Sequence, residues 1–248
     1  MAELKYWTWC DEMLNEAHIL CAGSTGSGKS VWVNSMLFTL LTYQPNEKQV
    51  ILIDPKRVEL NGYKKVPHCI GYATEVPDIV NQLRKAVATM ESRYTEMQKR
   101  GLKKWPGSDI YIVVDEMGDL MLTAPKEVDT LITRIMNLGR AAKVHMWICT
   151  QSPSRKTITA AIQLNATGKL ALRCNSKIES RQIIEMTGAE ELPRYGKGIF
   201  RNAEGTRVMD IPFTTESELS DRIQFWTGKP ITKNESPFNG IKKALRLA

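Results

Sequence analysis

The chain has 248 residues, of which 42% are apolar and 25% charged, and it carries a net charge of +7. Those values suit one large, soluble α/β domain with a sizeable core. They leave no room for a membrane span, since the apolar run 31–43 is broken by Asn34, Ser35 and Thr39. The first residues, MAELKYWTWCDEM, are acidic and aromatic, unlike a secretory leader.

In chain order, HILCA at 18–22 reads as a short buried strand. Val31, Trp32, Met36, Leu37, Leu40 and Leu41 then recur at helical spacing. Between them lies GSTGSGKS, residues 23–30. Gly23, Gly28, Lys29 and Ser30 fit G-x-x-x-x-G-K-[ST], the phosphate-binding loop. Glycine allows successive N–H groups to turn inward on an anion, and the helix that follows aims its positive end at the same spot. Gly23, Ser24, Thr25, Gly26, Ser27, Gly28, Lys29, Ser30 and Val31 therefore make the expected nucleotide site. Lys29 is expected to reach the β- and γ-phosphates, and Ser30 to bind Mg2+.

Further strands are expected at 49–53, 110–114, 143–150 and 169–173. The clearest helix covers 77–100, where Ile79, Val80, Leu83, Val87, Met90, Tyr94 and Met97 form one stripe that Gly101 ends. Residues 197–202 and 206–211 read as a hairpin. Strand and helix alternate, which implies an α/β fold with a mostly parallel central sheet and helices on both faces.

The strand IYIVVDE ends in two acids. A carboxylate at the tip of a strand near a phosphate loop holds the metal shell, which suits Asp115. Glu116 is placed to polarise an attacking water, although adjacent acids also suit a helix cap. HMWICTQSPS ends in polar groups too. Gln151 there either senses the γ-phosphate or serves as a turn residue before Pro153. In IDPKR, Asp54 and Lys56 either support the site or form a plain turn.

The five cysteines are scattered with no C-x-x-C pair, so reduced, buried thiols are expected. Basic residues concentrate at 84–104, seven against two acids, and again at 229–246. Such clusters suit a polyanion, nucleic acid first, or simply a solvated helix face and tail.

The stretches HILCAGSTGSGKSVWVNSML, ILIDPKRVEL, MESRYTEM, YIVVDEMGDLM, GRAAKVHMWICTQSPS and SKIESRQIIEMTGAEEL occur in order. Together they resemble the motor core of the FtsK/SpoIIIE translocases, in the FtsK–HerA group of RecA-like P-loop ATPases. The resemblance implies a ring, usually of six subunits, that drives double-stranded DNA through its centre with ATP and Mg2+. It implies a trans-acting arginine at Arg140, with Arg181 as second choice, because such sites lie between subunits. It also makes Arg155, Lys156 and Lys177 DNA-facing, with Lys126 a weaker prospect. Two positions depart from the family pattern: Ser152 stands where arginine is common, and Gln163 where lysine is. The chain divides into a lead-in at 1–17, a motor domain at 18–227 and a basic tail at 228–248. A freestanding cytoplasmic motor of bacterial, phage or mobile-element origin is the expectation. The alternative is a secretion or conjugative-transfer ATPase of the same superfamily, moving protein or nucleoprotein.

Overall fold

Alternating apolar residues and glycine-marked turns build an eight-stranded sheet. The computed structural model describes residues 12–42 and 47–228. Strand β1 (His18–Ala22) leads through the glycine loop into α1 (Lys29–Thr42). Then come β2 (Lys48–Ile53), β3 (Cys69–Ala73) and the long helix α2 (Val76–Lys99). Strand β4 (Asp109–Val114) is followed by the short α3 (Met117–Thr123) and by α4 (Pro125–Ala142). Strand β5 (Val144–Thr150), α5 (Ala160–Asn165), β6 (Gly168–Ala171) and α6 (Lys177–Ile184) come next. The hairpin β7 (Lys197–Asn202) and β8 (Gly205–Asp210) precedes α7 (Glu216–Thr227).

The strand order is β3-β2-β4-β5-β1-β6-β7-β8. The first six are parallel, and β7 and β8 run antiparallel at one edge. This is the RecA-like P-loop arrangement. Strand β5 separates β1, which carries the phosphate loop, from β4, which carries the paired acids.

The two faces of the sheet bury different helices. Ile112, Val114, Met146 and Ile148 point to one side, against Leu83 and Met90 of α2 and Ile132 and Ile135 of α4. Val113, Trp147 and Cys149 point to the other, against Trp32, Met36 and Leu40 of α1 and Leu219 of α7. The period of two along β4 and β5 thus feeds two cores at once. Cys21, Cys149 and Cys174 are buried free thiols, as expected, while Cys69 is half-buried. No described helix is long and apolar enough to cross a membrane.

The structure moves some expected boundaries. Helix α2 ends as anticipated, with Gly101 at φ 65. Strand β5 starts one residue later than expected, because Lys143 adopts a left-handed φ of 54 to close α4. Strand β6 stops at Ala171, and the Arg173 carbonyl turns instead to the Ser24 N–H, 2.8 Å away. Part of the basic excess at 84–104 is engaged within the fold: Arg84 pairs with Glu127, and the buried Arg93 donates to the carbonyls of Ala142 and Lys143. The other basic cluster, 229–246, lies outside the described residues, as do most of the lead-in and all but the first residue of the expected tail.

Candidate active site

The C-terminal ends of β1, β2, β4, β5 and β6 meet at one edge of the sheet, and the phosphate loop sits there. Gly26 and Gly28 have φ of 76 and 102, a backbone region that favours glycine. Gly23 is needed for space: a Cβ there would lie 2.6 Å from Ser27 Oγ and 2.7 Å from Leu172 Cβ. The loop is tied to its neighbours at three points. The Gly23 N–H donates to the Thr150 carbonyl, and Ser24 donates both its N–H and its hydroxyl to the Arg173 carbonyl. Thr25 Oγ1 donates to Gln151 Oε1 at 3.0 Å. Ser27 is buried, and Ser30 and Val31 lie in the first turn of α1.

Lys29 is buried and folded onto Asp115. Its ammonium lies 2.7 Å from the Asp115 carbonyl and 3.1 Å from its carboxylate. Burial pushes the Lys29 pKa down, the Asp115 carboxylate pushes it up, and the net direction is up. The lysine therefore stays charged wherever the protein is folded.

Glu116 fills the helix-cap role open to it in the sequence. Its side chain caps α3 by accepting from the Gly118 N–H at 3.2 Å. It also accepts from the Thr150 hydroxyl at 2.8 Å and from the Gln151 N–H at 3.2 Å. Lys56 pairs with it at 3.3 Å. The carboxylate is thus fixed at the tip of β4, next to a glutamine that touches the phosphate loop. A general base needs that immobility.

The loop after β2 does two jobs. Asp54 accepts the Leu60 N–H at 3.0 Å and holds the turn, and burial pushes its pKa up. That turn presents Lys56 to Glu116 and Glu59 to Ser30. Sequence reasoning left Lys56 open between support and a plain turn, and it missed Glu59, Thr150 and the Arg173 carbonyl. It also missed Arg194, whose guanidinium lies 3.6 Å from where a side chain on Gly26 would begin. For Glu59, one acid inside a strand-end loop was the available signal. Arg194 offered none.

The remaining expected residues fall in two places. Arg155 and Lys156 are exposed on the β5–α5 connection, Lys177 and Arg181 are exposed on α6, and all four belong to segments that follow strand ends on the nucleotide side. Arg140 is different. It is exposed in the last turn of α4, beside the start of β5. The seven residues of β5 separate it from Gln151, roughly 23 Å at 3.3 Å per residue. Arg140 therefore cannot reach the phosphate site of its own subunit. Gln163 donates to the Ile183 carbonyl and ties α5 to α6.

Among the described residues no group of three or more His, Cys, Asp or Glu forms a metal cluster. A hydroxyl, one or two carboxylates and phosphate oxygens are nevertheless what Mg2+ takes in such sites, and Ser30 and Asp115 supply that set.

The profile of the FtsK/SpoIIIE family matches residues 5–109 and 106–155. The chain belongs to the FtsK/SpoIIIE family. As an FtsK/SpoIIIE member it is a P-loop ATPase, with the ATP and Mg2+ use typical of that class. It falls in the FtsK–HerA superfamily, which moves DNA or protein substrates. Similar proteins include the "DNA translocase FtsK" of Mycobacterium leprae, 39% identical over 235 residues, covering 82% of this chain and 27% of that protein. The protein of the same name from Corynebacterium glutamicum is 38% identical over 235 residues, covering 82% and 25%. The chain thus spans about a quarter of the length of these FtsK relatives. Among solved structures, the pCW3 conjugation coupling protein TcpA with ATPgS is 24% identical with a TM-score of 0.76, covering 86% of this chain and 66% of that one. The type VII secretion ATPase EccC of Thermomonospora curvata is 23% identical with a TM-score of 0.73, covering 86% and 28%. These two likenesses concern the fold.

Proposed function

We propose that this chain is the motor of an ATP-dependent double-stranded DNA translocase that works as a ring, six subunits being the expected number, and hydrolyses ATP at subunit interfaces. The similarity to proteins named DNA translocase across more than four-fifths of the chain carries the choice of DNA as substrate.

In this reading ATP lies on the N–H groups of residues 26–30. Lys29 leaves Asp115 for the β- and γ-phosphates. Ser30 and Asp115 hold Mg2+, which supplies charge neutralisation at the phosphates. Glu116 orients and polarises the attacking water, and Gln151 reports the state of the γ-phosphate to Thr25 and β5. Arg140 of one subunit reaches the site of the next, a role its distance from its own site favours. Arg181, on the nucleotide side of the sheet, is the second choice. Arg155, Lys156 and Lys177 meet DNA phosphates without reading bases.

The test is ATP turnover with and without double-stranded DNA, alongside electron micrographs of the protein with an ATP analogue. DNA stimulation together with closed rings is expected. Hydrolysis indifferent to DNA overturns the substrate. Turnover by a permanent monomer overturns the interface site.

A further inference from the structure

Of the cations that stand at the phosphate loop, Lys29 is taken up by Asp115 and Lys56 by Glu116. Arg194 is not. Its guanidinium lies over the Tyr195 ring, 5.2 Å from the centroid, and among the described residues no carboxylate pairs with it. The side chain is exposed, on the segment between the turn at Ala189–Glu191 and β7. One of its nitrogens lies 3.6 Å from the point where a side chain on Gly26 would begin. The segment is tethered at three points. The Cys174 N–H donates to the Ala189 carbonyl at 3.1 Å, one residue beyond the Arg173 carbonyl that anchors Ser24. Leu192 is buried, and the Gly196 carbonyl accepts the Ile211 N–H at 2.8 Å. The Tyr195 hydroxyl oxygen is buried without a hydrogen-bond partner, so what Tyr195 offers Arg194 is its ring. A free guanidinium on a tethered loop, beside backbone of the anion-binding type, is a forked cation ready for phosphate.

We propose that Arg194 binds the phosphates of the nucleotide held by its own subunit, with the Tyr195 ring as the platform that keeps the guanidinium beside the loop. The proposal rests on the phosphate loop binding ATP as proposed above. It gives the site a second phosphate cation besides Lys29. That cation differs in origin from Arg140, which the reading above takes from the next subunit. A guanidinium offers two parallel N–H groups to two phosphate oxygens, which an ammonium cannot. Hydrogen bonds to a charged group correspond to about 10–100-fold in affinity. The ring contact, at an exposed site, corresponds to about 2–5-fold.

The test separates the phosphates from the rest of the nucleotide. A fluorescent, non-hydrolysable ATP analogue is bound to the protein and displaced by ADP or by inorganic tripolyphosphate. The samples are wild type, Arg194→Ala, Arg194→Lys, Tyr195→Phe and Tyr195→Ala, with Lys29→Ala as the control for the site. Thermal melts without nucleotide check folding. Arg194→Ala should weaken both competitors about 10–100-fold. Arg194→Lys keeps the charge but not the fork, and should lose less. Tyr195→Phe should match wild type, and Tyr195→Ala should weaken both competitors about 2–5-fold. Unchanged affinities in Arg194→Ala overturn the proposal and leave the site intact. A loss for ADP without one for tripolyphosphate also overturns it, because Arg194 would then hold base or sugar. Should Arg194→Ala melt early, Arg194→Lys carries the test: a loss for both competitors supports the proposal, and wild-type affinity overturns it. If wild type binds the analogue no better than Lys29→Ala, the underlying site reading fails and this proposal goes with it.

Discussion

Replacing Glu116 separates catalysis from architecture. The carboxylate receives hydrogen bonds from four donors of its own fold: the Thr150 hydroxyl, the Gly118 N–H, the Gln151 N–H and the Lys56 ammonium. Thr150 is fully buried, so its stranded hydroxyl costs about 1–3 kcal/mol in Glu116→Ala. Losing the helix cap adds about 1 kcal/mol. Lys56 adds little, because its side chain is 40% exposed and regains water. Glu116→Ala should therefore lose roughly 3 kcal/mol in urea unfolding. Glu116→Gln keeps a carbonyl oxygen for Thr150 and Gly118, and it should unfold within about 1 kcal/mol of wild type. Its single-turnover ATP hydrolysis should nevertheless fall about 10²–10⁴-fold, the range for a lost general base, while ATP still binds. A Glu116→Gln protein that hydrolyses ATP at the wild-type rate refutes the catalytic assignment. A Glu116→Ala protein with the wild-type urea midpoint refutes the network.

Three further outcomes are expected. Arg140→Ala should leave ATP binding intact but lower turnover about 10³-fold or more, and mixing with Lys29→Ala subunits should restore part of it. No rescue in rings seen by microscopy counts against a trans role. Replacing Arg155, Lys156 and Lys177 by alanine should reduce the log–log salt slope of DNA binding by about one unit each, with basal ATPase kept; an unchanged slope removes them from the DNA path. His18 is buried and its pKa is lowered to about 3 by burial, aided by the charge of His145. Below the ordinary 6.5, the unfolded chain takes up a proton that the folded one refuses. Stability should therefore fall by about 2 kcal/mol from pH 7 to 5, and His18→Leu should flatten that slope; identical slopes would rule His18 out as the source.

The sequence was most legible where the determining residues are neighbours. The unit from β1 through the glycine loop to α1 declares itself by a short apolar run, three glycines and a helical stripe, and the structure matches it. Helix α2 was legible for the same reason. Strand β3, CIGYA, escaped notice because it is an edge strand, partly exposed and without strict alternation. Contacts between distant residues were invisible: Lys56 meets Glu116 across 60 positions, and Thr150 meets it across 34. The paired acids could be read as base or cap, and only the fold revealed that Glu116 is a cap, a place that leaves the proposal of a base open.

The strand order has a consequence for synthesis on the ribosome. Strand β1 emerges before the other seven strands, yet its hydrogen-bonding partners are β5 and β6, and His18 pairs with Met146, 128 positions later. Its other edge waits for Gly168–Ala171. Until those strands appear, the phosphate loop has no Thr150 or Arg173 carbonyl to anchor it. At about 5–20 residues per second, the nascent chain spends roughly 7–30 seconds between Ser24 and Arg173 with its glycine loop made but unshaped. ATP therefore cannot help the first half fold, and nucleotide protection begins only after β6 has left the exit tunnel.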